Sequence, residues 1–390
     1  MTSAVSLRLG LAGLGTAGRS VAQAIGKVPG YVFAAGADNR TEALEQYRAK
    51  HGIDVFDSVD EMCSGKTVDA VFVATPNPLH AEHAIIAAEH GKHVIVEKPM
   101  AITLDQCDRL IAAAEKHRVK LMVAHTRSLN PPIRKMREII SSGRLGRVIQ
   151  INTWRYAPWL LRPRLPAELD TRLGGGVCYR QAPHQVDIVR LLGGGLVKSV
   201  RAVAGRWDPK NDAEGNYSAF LEFEDQTAAT LVYNGYGYFD DAELTHETNM
   251  DGNTLGAGQK LRKAAREGLL TKDDSRSGVA FEIEGRNEGG GSRQPFFGLT
   301  VASCERGDLR QSRDGIFIYD ENRVSEVPCA EWRGPLAVEL EEFRKAVIAD
   351  MAAPHDGRWG KATLEVCLAI LQSSRERREI RLSHQVPSPY

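Results

Sequence analysis

The feature that most restricts this chain is a glycine pattern near its start. Gly13-Leu14-Gly15-Thr16-Ala17-Gly18 follows an apolar run at 7–12 and opens an amphipathic stretch, and Asp38 ends the next apolar run. Each glycine at this spacing has its own task. Gly13 allows a tight turn, Gly15 lets the backbone approach a pyrophosphate, and Gly18 lets the helix pack closely on the strand. The amides and dipole of the helix start then receive the phosphate charge. A strand before the motif, a helix after it and an acid about 20 residues on predict a dinucleotide-binding βαβ unit rather than a chance glycine turn. Asp38 would accept hydrogen bonds from the adenosine ribose and repel a 2′-phosphate, which favours NAD. Arg40 could stack on adenine or pair with that phosphate, so NADP stays open.

The rhythm of that unit continues. Apolar runs at 7–12, 32–37, 70–74, 93–96 and 120–124 alternate with helix-like stretches, which predicts an α/β fold beginning with a Rossmann doubly wound parallel sheet at 1–126. Beyond residue 126 the texture changes to longer β-prone runs at 148–156, 197–204, 217–223 and 227–234 without helices between them. They predict a second α/β domain, 127–390, built on a large, open, mostly antiparallel sheet. A polar segment rich in Gly, Lys and Arg at about 240–295 is expected to be an inserted arm or lid, and helical spacing returns at 335–349 and 361–377. A length of 390 residues suits two such domains.

Composition excludes several classes. Fifty Lys plus Arg balance fifty Asp plus Glu, so bulk electrostatic attraction to nucleic acid is disfavoured. No run of about 20 apolar residues suggests a membrane span, and no signal-peptide layout opens the chain, so it is expected to be cytoplasmic. The six cysteines are scattered without a C-x-x-C pair, and the histidines lack a third ligand at a convincing spacing. No metal site is expected.

Two further segments carry chemistry. Ala74-Thr75-Pro76-Asn77-Pro78-Leu79-His80 and Val96-Glu97-Lys98-Pro99-Met100 resemble the Gfo/Idh/MocA oxidoreductases, and the likeness extends over nearly the whole chain. The resemblance implies that Thr75, Pro76, Asn77, His80 and Glu97 line the cofactor site, that Lys98 is the active-site lysine, and that Pro99 follows a cis bond. A lysine at the carboxyl edge of the sheet can take part in the proton transfer of a substrate hydroxyl as hydride leaves its carbon.

The segment 174–189, Gly-Gly-Gly-Val-Cys-Tyr-Arg-Gln-Ala-Pro-His-Gln-Val-Asp-Ile-Val, matches the place where many members write an acid and a histidine four positions apart. His184 keeps the histidine and is the candidate second proton donor or acceptor. Arg180 stands where the acid is usual. On one continuous helix these two would share a face, although Pro183 suggests a helix start or a kink. A guanidinium in place of a carboxylate suits a substrate carboxylate rather than sugar hydroxyls. Arg155, Tyr156 and Arg162, just upstream, add cations and an aromatic face to the candidate substrate site.

Several segments, including Arg162-Pro163-Arg164 and 302–310, also resemble the branch of the family containing phthalate 4,5-cis-dihydrodiol dehydrogenase. The expectation is thus an NAD-dependent dehydrogenase that oxidises a carboxylated cyclic cis-dihydrodiol to a catechol. The alternatives are a sugar or inositol dehydrogenase and a non-catalytic dinucleotide-binding regulator. A small molecule is the expected partner, and a homodimer or homotetramer the expected assembly.

Overall fold

The computed structural model describes residues 6–208, 211–239, 241–244, 263–264, 266–269, 294–330 and 333–390. Most of the expected arm at 240–295 lies outside the described residues. The chain divides into two compact units, Met1–Thr126 with Arg333–Leu364, and Arg127–Trp332 with Glu365–Tyr390. The expected boundary at 126 is met by a second crossing, because the segment Arg333–Leu364 returns to the first unit instead of remaining with the second.

In the first unit six parallel strands, β1 (Leu7–Ala12), β2 (Tyr31–Ala37), β3 (Asp54–Phe56), β4 (Ala70–Val73), β5 (His93–Glu97) and β6 (Leu121–Ala124), lie in the order β3-β2-β1-β4-β5-β6. That is the dinucleotide-binding order, with its switch point beside β1 and β4. β4 and β6 are buried along their whole length, as near-continuous apolar runs in a sheet covered on both faces must be. β3 has only three residues and is half-polar, so the apolar pattern does not reveal it. Helix α1 (Thr16–Ile25) buries Val21, Ala22 and Ile25 on the face turned to the sheet, spaced as one helical stripe. The helix Pro335–Ile348 joins the same core through Leu340, Phe343 and Ala346. Its backbone carbonyl at Leu340 accepts the Tyr31 hydroxyl proton at 2.6 Å.

Among the described residues the second unit holds a nine-stranded sheet. Its strands are β7 (Val148–Tyr156), β8 (Val197–Gly205), β9 (Asn216–Phe223), β10 (Ala228–Asn234), β11 (Leu299–Cys304), β12 (Gly307–Gln311), β13 (Gly315–Tyr319), β14 (Val324–Pro328) and β15 (Ile380–Arg381). The order is β14-β13-β12-β11-β7-β10-β9-β8-β15. Every pairing is antiparallel except β10 with β7. Alternation is clean: Tyr217, Ala219, Leu221 and Phe223 of β9 are buried while the residues between them are not.

The buried helix Ala182–Leu192 contacts β7 and β10. It does not continue from the segment before it. A five-residue helix, Gly176–Arg180, ends at Gln181, whose φ of −119° breaks the run before Pro183 starts the next helix. Arg180 and His184 therefore do not stand one turn apart on a single helix.

Candidate active site

The glycine loop of the first unit does what its spacing requires. Gly13 has φ +93°, and a Cβ there would meet the Ala74 carbonyl at 2.7 Å, so no other residue fits the turn. A Cβ on Gly18 would collide with the carbonyl of Gly13, whereas one on Gly15 would meet nothing within 4 Å. The opening at Gly15 and a helix start at Thr16 with no side-chain cap leave backbone donors for a pyrophosphate. The backbone N–H of Leu14 donates to the Asp38 carboxylate at 2.8 Å, which ties the acid to the loop; Ala17 lies in the first turn of α1. Arg40 folds back on the same carboxylate through its Nε at 2.8 Å and Nη2 at 2.9 Å. Burial pushes the Asp38 pKa up, but the hydrogen bonds from Arg40 and Leu14 prevail and hold it below the usual carboxylate range. These residues fit a dinucleotide with a ribose at Asp38.

At the carboxyl ends of β4 and β5 two loops are joined by one imidazole. His80 Nδ1 lies 2.7 Å from the Pro99 carbonyl and Nε2 lies 2.7 Å from the Thr75 carbonyl, while the Thr75 hydroxyl is 3.1 Å from His83 Nδ1. His80 is thus a buried brace between the Thr75-Pro76-Asn77 turn and the Glu97-Lys98-Pro99 turn. The Lys98–Pro99 bond is cis, and the Lys98 amide donates to Glu97 Oε2 at 3.2 Å. Lys98, half-buried, stands just past the end of β5.

The second unit contains a cavity of about 150 Å³ lined by Arg127, Arg155, Ala157, Pro158, Trp159, Arg162, Arg164, Gln181, His184, Tyr233 and Phe297. Among the described residues, four guanidiniums and no carboxylate line that wall. His184 packs edge-on against Phe297, with ring centroids 4.8 Å apart. Arg164 stacks 4.1 Å from the Trp159 ring and donates twice to the Trp159 carbonyl, at 3.1 and 2.9 Å. Burial, with Arg180 and Arg162 nearby, pushes its pKa down to about 10 against the pull of Glu168. It still carries its charge at neutral pH.

The expected substrate residues divide. Arg155 and His184 reach the cavity, and so does Arg162, which has no ion-pair or hydrogen-bond partner among the described residues. Arg155, however, is fully buried against Asp241 at 2.6 Å, so its charge already has a counter-ion. Tyr156 packs against Phe239 and does not line the cavity. Arg180 is absent from the lining as well. The break at Gln181 turns it to Glu168 at 2.7 Å and presents Gln181 beside His184 instead. Arg127 and Phe297, which come from distant segments, are cavity residues with no local sequence signal. Trp159 and Arg164 are legible only as part of an arginine-rich, aromatic loop.

Comparison with known proteins agrees with this geometry. Residues 7–125 match the family model for the oxidoreductase family, NAD-binding Rossmann fold, and residues 133–246 match the GFO/IDH/MocA C-terminal domain. A 1-carboxy-3-chloro-3,4-dihydroxycyclohexa-1,5-diene dehydrogenase of Comamonas testosteroni is 32% identical over 383 residues, 95% of each chain. A solved protein of Bordetella bronchiseptica RB50 is 36% identical with a TM-score of 0.86, covering 97% of this chain and 100% of its own. The fold is shared by a Bordetella pertussis dehydrogenase solved with NADH and UDP-GlcNAcA, 22% identical with a TM-score of 0.70, covering 97% of this chain and 99% of its own. The chain belongs to the GFO/IDH/MocA oxidoreductase family and is an NAD(P)-dependent oxidoreductase with an NAD-binding Rossmann domain.

Proposed function

We propose that this oxidoreductase converts a carboxylated cyclic cis-dihydrodiol, phthalate dihydrodiol-like, to a catechol. The observation that carries the reading is the wall of the second unit's cavity, which among the described residues holds four guanidiniums with the aromatic faces of Trp159 and Phe297 and no carboxylate. A polyol pocket needs acceptors for hydroxyl protons, and guanidiniums are donors only, in a fork that matches a carboxylate. The printed name of the Comamonas relative, a dehydrogenase of a carboxylated ring diol, supports the same class.

Each residue then has a role. Arg162 receives the ring carboxylate. Trp159 and Phe297 face the ring. Lys98 takes the proton of the reacting hydroxyl as hydride leaves the same carbon and the C–O bond becomes a carbonyl, and His184 is the second proposed proton donor or acceptor. The hydroxydienone so formed loses its remaining carbinol C–H proton, gains one on the carbonyl oxygen, and becomes aromatic. When bound, the nicotinamide supplies the hydride acceptor. Holding the ring by its carboxylate fixes which carbinol hydrogen is presented, so the arginine contributes by positioning.

The protein is further proposed to form a homodimer or homotetramer through the second sheet. Trp154, Val232, Ser218 and Val203 align across four neighbouring strands, with Trp154 and Val203 exposed, and Phe220 adds a further exposed apolar side chain. Such a row is a liability on a monomer. Light scattering at micromolar concentration checks it, and a monomer contradicts it.

The function is tested by supplying NAD or NADP with a panel of carboxylated arene cis-dihydrodiols, sugars and inositols. Reduced cofactor formed with the dihydrodiols alone supports the proposal. Reduction with sugars or inositols assigns the commoner polyol chemistry, and cofactor binding without turnover assigns a dinucleotide-sensing role.

A further inference from the structure

The cavity's cationic wall and its histidine stand on different pieces of chain. Arg162 and Arg164 belong to an irregular segment, 157–173, made of short 3₁₀ turns, whereas Gln181 and His184 stand at the junction of the two helices that follow. A loop without regular hydrogen bonding needs anchors to hold a side chain within the fraction of an ångström that binding demands.

Glu214, which lies outside the cavity wall and was singled out by no motif, joins these two pieces. Its residue is 7% exposed. Oε2 accepts the Thr171 hydroxyl proton at 2.7 Å, Oε1 accepts the Cys178 amide proton at 2.8 Å, and the Glu214 backbone carbonyl accepts the Val177 amide at 3.2 Å. One carboxylate thus holds the end of the arginine segment and an N–H group in the first turn of the helix Gly176–Arg180. The glycines between them make room for this. A Cβ on Gly175 would meet the carbonyls of Ala167 and Asp170 at 2.6 and 2.7 Å, and a Cβ on Gly176, where φ is +76°, would collide with the Glu214 carboxyl group. The run Gly174-Gly175-Gly176 therefore lets the arginine segment pass on one side and the anchoring acid on the other.

We infer that Glu214 is a positioning residue for substrate recognition, which acts through Thr171 and the Cys178 amide to set the arginine segment against His184. The inference rests on the proposed carboxylate-binding role of that cavity. Burial raises the Glu214 pKa, and its hydrogen bonds from Thr171 and Cys178 oppose the rise, as expected of an acid whose partners are fixed donors.

Three full-length variants test it. Thr171→Val removes only the tie to the loop, Glu214→Ala removes both ties, and Glu214→Gln keeps both, since an amide can accept from Cys178 and donate to the Thr171 oxygen. Backbone hydrogen exchange over 157–173 and 176–184 is measured alongside kcat and KM for a carboxylated cis-dihydrodiol and the affinity for benzoate. Thr171→Val is expected to speed exchange in 157–173 alone and to raise KM and the benzoate Kd about tenfold with kcat nearly unchanged. Glu214→Ala should loosen both segments, and Glu214→Gln should stay close to the parent. Parental exchange and KM in Thr171→Val would overturn the inference, as would equal losses in Glu214→Gln and Glu214→Ala. If the parent neither binds benzoate nor turns over a carboxylated diol, the proposed substrate class falls, and so does the recognition role assigned to Glu214.

Discussion

Arg40 grips the carboxylate of Asp38 with its Nε and Nη2, while the backbone N–H groups of Arg40 and Leu14 donate to the same two oxygens at 3.0 and 2.8 Å. Each oxygen thus already receives two hydrogen bonds, which is about all a carboxylate can accept. A ribose hydroxyl must therefore displace part of the Arg40 contact, and the guanidinium so released is free to meet adenine or a 2′-phosphate. We propose that the choice between NAD and NADP is set within this pair.

Two substitutions separate its halves. Asp38→Ala should weaken NAD by about tenfold to a hundredfold, the range for hydrogen bonds to a charged group, and NADP by less, because it also removes a repulsive charge. Arg40→Ala should tighten NAD slightly and weaken NADP. Fluorescence titration of the parent and both variants with each cofactor measures this, and an NAD-to-NADP ratio unchanged from the parent in both variants would refute the assignment.

Lys98→Met should lower kcat by about a hundredfold to ten-thousandfold, the usual cost of losing general acid–base help, with the Kd for NAD nearly unchanged. Turnover within tenfold of the parent would remove the lysine from the reaction.

Arg155 and Asp241 form a buried pair at 2.6 Å. Removing one partner strands the other charge, so Arg155→Leu should destabilise the protein by about 3–5 kcal/mol, and the double variant Arg155→Leu with Asp241→Leu should recover much of that loss. Thermal unfolding decides between this and a direct role in substrate binding, for which the melting temperature would hardly move.

The parts of this protein readable in its sequence are those governed by local rules. The glycine turn, the Asp38 acid and the buried runs of β1, β4 and β5 follow from spacing and apolar pattern alone, whereas Lys98 is a candidate through the resemblance of its Glu-Lys-Pro segment to the family, together with its place just past a strand end. The cavity wall was legible only as a stock of arginines and aromatics. Which of them face the cavity depends on the break at Gln181, which exchanges Arg180 for Gln181. It also depends on Glu168, which takes up Arg180, while Asp241, far along the chain, neutralises Arg155 within the wall. Arg127 and Phe297 enter by tertiary folding from segments whose local pattern is silent. The return of Arg333–Leu364 to the first unit was hidden for the same reason, since an apolar helical stripe does not say which core it joins.

The central claim is that a cavity guanidinium holds the substrate's carboxylate, and a cycle of two proteins and two substrates tests it most directly. The parent, Arg162→Gln and, as a control for the loop, Arg180→Gln are assayed with a carboxylated cis-dihydrodiol and with its uncarboxylated analogue. Arg162→Gln should lose about 2–5 kcal/mol in kcat/KM on the carboxylated diol, the cost of leaving the anion without its partner, and little on the analogue. Arg180→Gln should lose less, because its guanidinium is already paired with Glu168 at 2.7 Å. Equal losses on both substrates in Arg162→Gln, or a selective loss in Arg180→Gln alone, would contradict the account.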